Sequence, residues 1–232
     1  ISYKESEIDK LAELLNEKGI VIVAAVGNDE NGLVKPPANS PHVITVGGID
    51  DENKLNDEIK LYHSTYGKTV DDLIKPELVA NAIWIAAPIL PGTKEQEESE
   101  ALHYLLKTED DKLKNSLLNI KEKIKLNSRV FDSPHYMHVD GTSFAAPIVS
   151  SVIAQMLEAN PQLTPPLIRE VLFSTAKRID EYPAERQGFG VIRPGKALIR
   201  VLKKEEIMKP HLSPFINRKK KTIEFYVQHD CA

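Results

Sequence analysis

The chain has 232 residues, 41% hydrophobic and 28% charged, which is enough apolar material for one domain with a real core. Its formal net charge of -4 gives no electrostatic basis for nucleic-acid binding, and no apolar run is long enough to span a bilayer. Cys231 is the only cysteine, so an intrachain disulfide is excluded while the compartment stays open, and no His-Glu-x-x-His or paired-cysteine spacing marks a catalytic metal.

Residues 5 to 18 read as an amphipathic helix through Ile8, Leu11, Leu14 and Leu15, stopped by Gly19. Gly19 to Val26 is β-branched and apolar and ends in Gly27-Asn28, the pattern of a buried parallel strand that delivers a polar side chain at its carboxyl end. Asn28 read alone is a turn residue after a glycine; only together with the Ser143 segment does it read as functional. Pro37-Ala38 precedes a valine-rich strand from His42 to Gly48, and Lys75-Pro76-Glu77-Leu78-Val79-Ala80 leads to a short apolar strand at Ile83 to Ala87.

Residues 94 to 128 carry seven Lys and eight Asp or Glu, yet Leu113, Leu117, Ile120 and Ile124 keep helical spacing. Two helices are predicted, over 95 to 107 and 109 to 126, with Thr108 and Asp111 placed like a capping box. His135 and His138 follow in a proline-containing approach, read as loop or strand histidines rather than as a base.

Asp140-Gly141-Thr142-Ser143-Phe144-Ala145-Ala146-Pro147 then opens an apolar helix. Its two i, i+4 ridges are Phe144, Ile148, Val152, Met156 and Ala145, Val149, Ile153, Leu157, and Asn160-Pro161 ends it. Pro147 is read as a first-turn residue, where its missing N–H costs nothing. Free N–H groups and the dipole at such a helix start favour negative charge, so Ser143 is a candidate nucleophile with an oxyanion site beside it. The competing reading makes Thr142 or Ser143 an N-cap. Leu163-Thr164-Pro165-Pro166 opens a helix running to Ala176, and Gly188-Phe189-Gly190 precedes Pro194-Gly195-Lys196-Ala197-Leu198. In the tail, Lys219 to Lys221 reads as a solvated cluster and Thr222 to Val227 as one edge strand.

The Gly-Thr-Ser-Phe-Ala-Ala-Pro string and the strand ending in Gly27-Asn28 resemble the nucleophile and oxyanion motifs of the subtilisin-like serine peptidases, and the remaining landmarks from residue 5 to 202 fall in that family's order. The resemblance implies a doubly wound α/β fold, its mostly parallel sheet flanked by helices. It implies that Ser143 attacks a peptide carbonyl, that Asn28 donates to the oxyanion beside the Ser143 backbone N–H, and that Ala24, Ala25, Val26 and Gly27 line the primary specificity pocket. It also implies an Asp-Ser/Thr-Gly aspartate and a His-Gly-Thr histidine, and neither motif occurs in the sequence.

Residues 1 to 202 are therefore expected to be the C-terminal part of such a catalytic domain, its N-terminal part missing, with 94 to 128 as a charged helical insertion and 203 to 232 as an extension. The insertion reads as a lid or partner surface, or as a solvated elaboration. No organic cofactor is implied; structural calcium is frequent in the family, but its ligand loops cannot be assigned here. The expected partners are a polypeptide substrate and the missing part of the same domain, with no nucleic acid. A serine without its base is a weak nucleophile, so the chain by itself is expected to be inactive. The alternative is a non-catalytic subtilisin-like module that serves as a binding or scaffold protein. Asp140 departs from the family's usual Ser or Asn, and a carboxylate there would oppose an oxyanion if it pointed inward.

Overall fold

A run such as Val43-Ile44-Thr45-Val46 suits a strand covered on both faces, because β-branched side chains pack well on a pleated surface. In the computed structural model, which describes residues 1–51, 59–107, 115, 131–203, 213–217 and 222–226, this run begins the central strand β2 (Val43–Asp50), buried along all but its last residue. On one edge of β2 runs parallel β1 (Ile22–Ala25), pairing Ile22 with Val43 through Ala25 with Val46, followed by short antiparallel β3 (Lys60–Leu61). On the other edge lies parallel β6 (Leu78–Asn81), with Leu78 opposite Val46. The carbonyls of β2 alternate accordingly: Val46 and Gly48 accept from Val26 and Tyr62, Thr45 and Ile49 from Glu77 and Ala82. Between them, β4 (Gly67–Lys68) and β5 (Ile74–Lys75) form a small hairpin.

The described chain divides into two compact units, Ile1–Ala82 with Gly141–Ala232, and Ile83–Asp140. The first holds the sheet just described. Its helices are α1 (Glu7–Glu17), α3 (Thr142–Ala159), α4 (Pro165–Thr175), α5 (Ala184–Gln187) and α6 (Pro194–Leu202). Helix α3 packs on β1, β2, β6 and α6. It buries Ala145, Val149, Val152, Ile153 and Met156 and leaves Ser150 and Ser151 outside. Each buried Val, Ile or Met there contributes about 1.5–3 kcal/mol.

In the second unit, α2 (Lys94–Lys107) lies with an antiparallel sheet of β7 (Ile85–Pro88), β9 (Tyr136–Val139) and β8 (Phe131–Ser133), in the order β7-β9-β8. Leu102 packs against Ile89 and Met137, and the Ser99 hydroxyl donates to the Ser133 carbonyl at 2.8 Å. At the start of α2 the Gln96 N–H meets the Thr93 hydroxyl at 3.4 Å while the Gln96 side chain accepts from the Gly92 N–H at 2.7 Å. The capping box expected further on, at Thr108 and Asp111, and the helix over 109 to 126 fall outside the described residues apart from residue 115. Near the C-terminus β10 (Ser213–Asn217) and β11 (Thr222–Tyr226) pair as a hairpin, so the predicted tail strand has an antiparallel neighbour. Lys219 to Lys221 lie outside the described residues.

Three local expectations are corrected. The strand placed at 83 to 87 is Ile85–Pro88, which pairs antiparallel with β9, and the residues before it supply a strand that was not expected, Leu78–Asn81, which joins the parallel sheet. Strand β1 is half-buried rather than buried, because among the described residues it is paired on the β2 side alone. Helix α1 forms as expected but turns Ile8, Leu11 and Leu14 half outward, while Asp9 and Ala12 are the residues it buries.

Candidate active site around Ser143

Helix α3 begins one residue before Ser143, and the residue at its N-cap is Gly141. Neither Thr142 nor Ser143 is the cap, so the capping explanation for the two hydroxyls fails. Gly141 has φ of 137°, a conformation that side-chain-bearing residues rarely adopt. Pro147 is the sixth residue of the helix, not a first-turn residue. A proline there removes the donor that the Ser143 carbonyl would otherwise receive. The Ser143 N–H sits in the first turn, where no helical acceptor exists, and among the described residues it has no other. The Ser143 side chain is exposed, and no acidic residue lies in the first turn to offset the positive end of the dipole.

The sheet brings Asn28 to this helix start. Its Oδ1 accepts from the Thr142 N–H and from the Thr142 hydroxyl, both at 2.8 Å. Because the backbone N–H can only donate, the acceptor end of the carboxamide is fixed and the NH2 end is left over. A Cβ on Gly141 would stand 3.3 Å from that Asn28 Nδ2, so the glycine keeps the space beside the donor open. The Thr142 side chain, fully buried, also accepts from the Gly27 N–H at 3.3 Å. Thr65 braces the other side: its N–H donates to Gly27 O at 3.0 Å, and its hydroxyl donates to Asp29 O at 2.8 Å and meets the Asp29 N–H at 3.3 Å. Two threonines 77 positions apart thus hold the three residues Gly27-Asn28-Asp29 from opposite sides (142 minus 65).

Of the residues expected to line a pocket, Ala24, Ala25 and Gly27 are half-buried, while the Val26 side chain is in the core and its N–H bonds Val46 O.

No described histidine of this unit is bonded to Ser143. His42 sits 3.5 Å from the Glu13 carboxylate and edge-on to Tyr3, and His63 lies against Tyr62 with ring centroids 3.9 Å apart. His211 and His229 fall outside the described residues. In the second unit His135 is exposed in a turn, and His138, on β9, has Nδ1 3.2 Å from the Trp84 carbonyl with the two rings edge to face. Asp140 accepts from the Trp84 N–H at 2.9 Å, so its carboxylate is engaged by backbone. Among the described residues no three His, Cys, Asp or Glu side chains gather as a metal would need.

The Lys75-Pro76-Glu77 element proves to be a buried ion cluster. Lys75, 1% exposed, donates to Ser40 O at 2.6 Å, Val43 O at 3.1 Å and Glu77 Oε1 at 2.8 Å. Arg169 of α4 reaches the same Glu77 oxygen at 2.7 Å, and Glu77 Oε2 accepts from the Thr45 N–H at 2.7 Å. Burial pushes the Lys75 ammonium down to about 8, against the Glu77 carboxylate, which favours its charged form. Burial alone would raise Glu77, but Lys75 and Arg169 outweigh it and hold the carboxyl below its ordinary value.

A model of the subtilase family matches residues 2–190. The chain is 30% identical over 191 residues to the serine protease AprX of Bacillus subtilis (strain 168), a match that takes in 79% of this chain and 37% of that protein. Among solved structures, the prenylagaramide maturation protease PagA aligns with a TM-score of 0.54 at 20% identity, over 83% of this chain and 54% of that one. The chain therefore spans less than two thirds of the length of either relative, and the second likeness speaks for the fold, an α/β sheet with flanking helices.

Proposed function

We propose, from the premise that this chain belongs to the subtilase family, that Ser143 is the nucleophile of a serine endopeptidase whose base is supplied by an upstream part of the same catalytic domain. Ser143 Oγ attacks the carbonyl of a bound peptide. A histidine from that upstream part, oriented by an aspartate, takes the proton and returns it to the amine that leaves as the C–N bond breaks; it then deprotonates a water that releases the acyl group as the free acid and restores the Ser143 hydroxyl. Asn28 Nδ2 and the Ser143 N–H donate to the oxyanion, and the backbone of Ala24 to Gly27 lines the pocket for the side chain before the scissile bond.

The observation that carries this reading is the fixed carboxamide of Asn28, whose acceptor end is tied to Thr142 while its donor end has no partner among the described residues. A purely scaffolding module has no use for a donor held in that way. Lacking its base, the 232-residue chain should turn over peptides very slowly alone.

The test is fluorophosphonate labelling of the protein joined to its upstream part, against Ser143→Ala and Asn28→Ala. We expect labelling that disappears in Ser143→Ala and slows by about 10²–10³ in Asn28→Ala, a magnitude taken from subtilisin's own asparagine rather than from this geometry. A folded protein without Ser143-dependent labelling would establish the scaffold reading instead.

A further inference from the structure

We infer that Arg186 is a positioning residue for Asn28, acting from outside the site through Glu30 and Tyr66; the inference rests on the oxyanion role proposed above for Asn28. Arg186 belongs to α5, a single turn that has no side-chain cap of its own. What fixes this turn is Gln187, which is fully buried. Its carboxamide accepts from the Ile179 N–H at 2.8 Å and donates to the carbonyls of Ile179 and Tyr182, both at 2.8 Å. Arg186 thus starts from an immobile base.

Its guanidinium then reaches two separate segments. It pairs with the Glu30 carboxylate at 2.6 Å, a charge-assisted contact with both side chains partly shielded from water. It also lies over the Tyr66 ring, 5.0 Å from the centroid, and within 5.8 Å of the Tyr182 centroid. Glu30 is two residues beyond Asn28, inside a turn closed by the Gly32 N–H on Asp29 O at 2.9 Å and by the Asn31 N–H on Asp29 Oδ1 at 3.0 Å. Tyr66 directly follows Thr65, the residue that braces Gly27 and Asp29. One planar cation therefore holds the turn after Asn28 and the strut beside it, and lets them move only together.

This arrangement differs from a surface ion pair, which typically contributes little. Here the charge contact and the ring contacts share one guanidinium, and Lys cannot reproduce the flat stacking surface. Loss of Arg186 frees the 29–32 turn from α5, and the Asn28 carboxamide loses the fixed backbone from which it reaches Thr142.

The Thr142 amide hydrogen reports that orientation directly. It lies in the first turn of α3, and its acceptor is Asn28 Oδ1. Amide exchange followed by NMR on the whole chain reads the geometry without turnover. In Arg186→Ala, Thr142 should exchange about tenfold faster while Val171 and Leu172, inside α4, keep their protection. Arg186→Lys should recover part of the loss through Glu30, and Glu30→Gln should reproduce part of it. An Arg186→Ala protein in which Thr142 stays within about twofold of wild type overturns the inference, as does an equal loss across α4 or an Arg186→Lys protein no better than Ala. Failure of the peptidase reading looks different: Thr142 stays protected in the wild type, yet no Ser143-dependent labelling appears.

Discussion

A carboxamide presents an acceptor at one end and two donors at the other, and Thr142 decides which end of Asn28 remains for use. The hydroxyl matters as much as the amide, since it also serves the Gly27 N–H. Thr142→Val, close in shape, removes both bonds and leaves a backbone donor without an acceptor. It should lower stability by about 1–2 kcal/mol in urea unfolding, whereas Thr142→Ser should stay near wild type. Ser143 and Asn28 are both legible in the sequence, because each stands in a string of residue types that the local chemistry requires. Thr142 and Thr65 are not. A hydroxyl at a helix start and another in a Ser-Thr-Tyr-Gly loop carry no local sign of their task, which arises only when segments far apart in sequence meet. Pro147 shows the converse: its helix is foreseen, but the actual start at Thr142 makes Pro147 the sixth residue and leaves the Ser143 carbonyl without its helical donor.

Among the elements, the segment Gly188-Phe189-Gly190 has the closest fit. A Cβ on Gly188 would fall 2.3 Å from Glu77 O and 2.4 Å from Pro76 O, and its φ of 59° already disfavours a side chain. The Phe189 N–H donates to Glu77 O at 2.8 Å, and the Val79 N–H and carbonyl of β6 bond Gly190 O and the Ile192 N–H, each at 3.0 Å. Gly188→Ala should therefore push this segment off the Lys75-Pro76-Glu77 element and cost about 3 kcal/mol or more, read as a drop in the urea midpoint. The sequence shows both motifs in order but not that they touch. Helix α1 marks another limit of pattern reading. Its periodicity identifies the helix correctly, yet periodicity says which residues share a face and not which face meets the core. Asp9 is buried, neither carboxylate oxygen has a hydrogen-bond partner among the described residues, and that burial raises its pKa, an outcome that no amphipathic pattern foretells.

At the scale of the whole molecule, the parallel core and its α3 crossing are legible because long apolar runs with clear stops leave few alternatives, whereas β3, β4 and β5, two residues each, carry too little pattern to be seen. The pH dependence of stability follows from the buried cluster that joins β5, β2 and α4. Glu77 has a folded pKa below its ordinary 4.5, so its contribution is complete above that value and is lost as the pH falls through the lower folded one. Thermal unfolding should show an acid limb below pH 4.5 that Glu77→Gln flattens. Lys75 acts in the same direction but at alkaline pH. Its folded value of about 8 lies under its ordinary 10.5, so between the two the unfolded chain binds a proton the folded chain has released, and stability rises with pH across that window. Lys75→Met should abolish the rise.

The Lys75 ammonium also meets two main-chain carbonyls and a carboxylate. Three converging oxygens are the surroundings in which proteins often place a dissolved cation. Here the positive charge is tethered to the backbone by its own side chain, so below about pH 8 it is in place without any dissolved metal ion. The turn from Ser40 to Val43 that leads into β2 is thereby held by a counter-charge that dilution and chelation cannot remove.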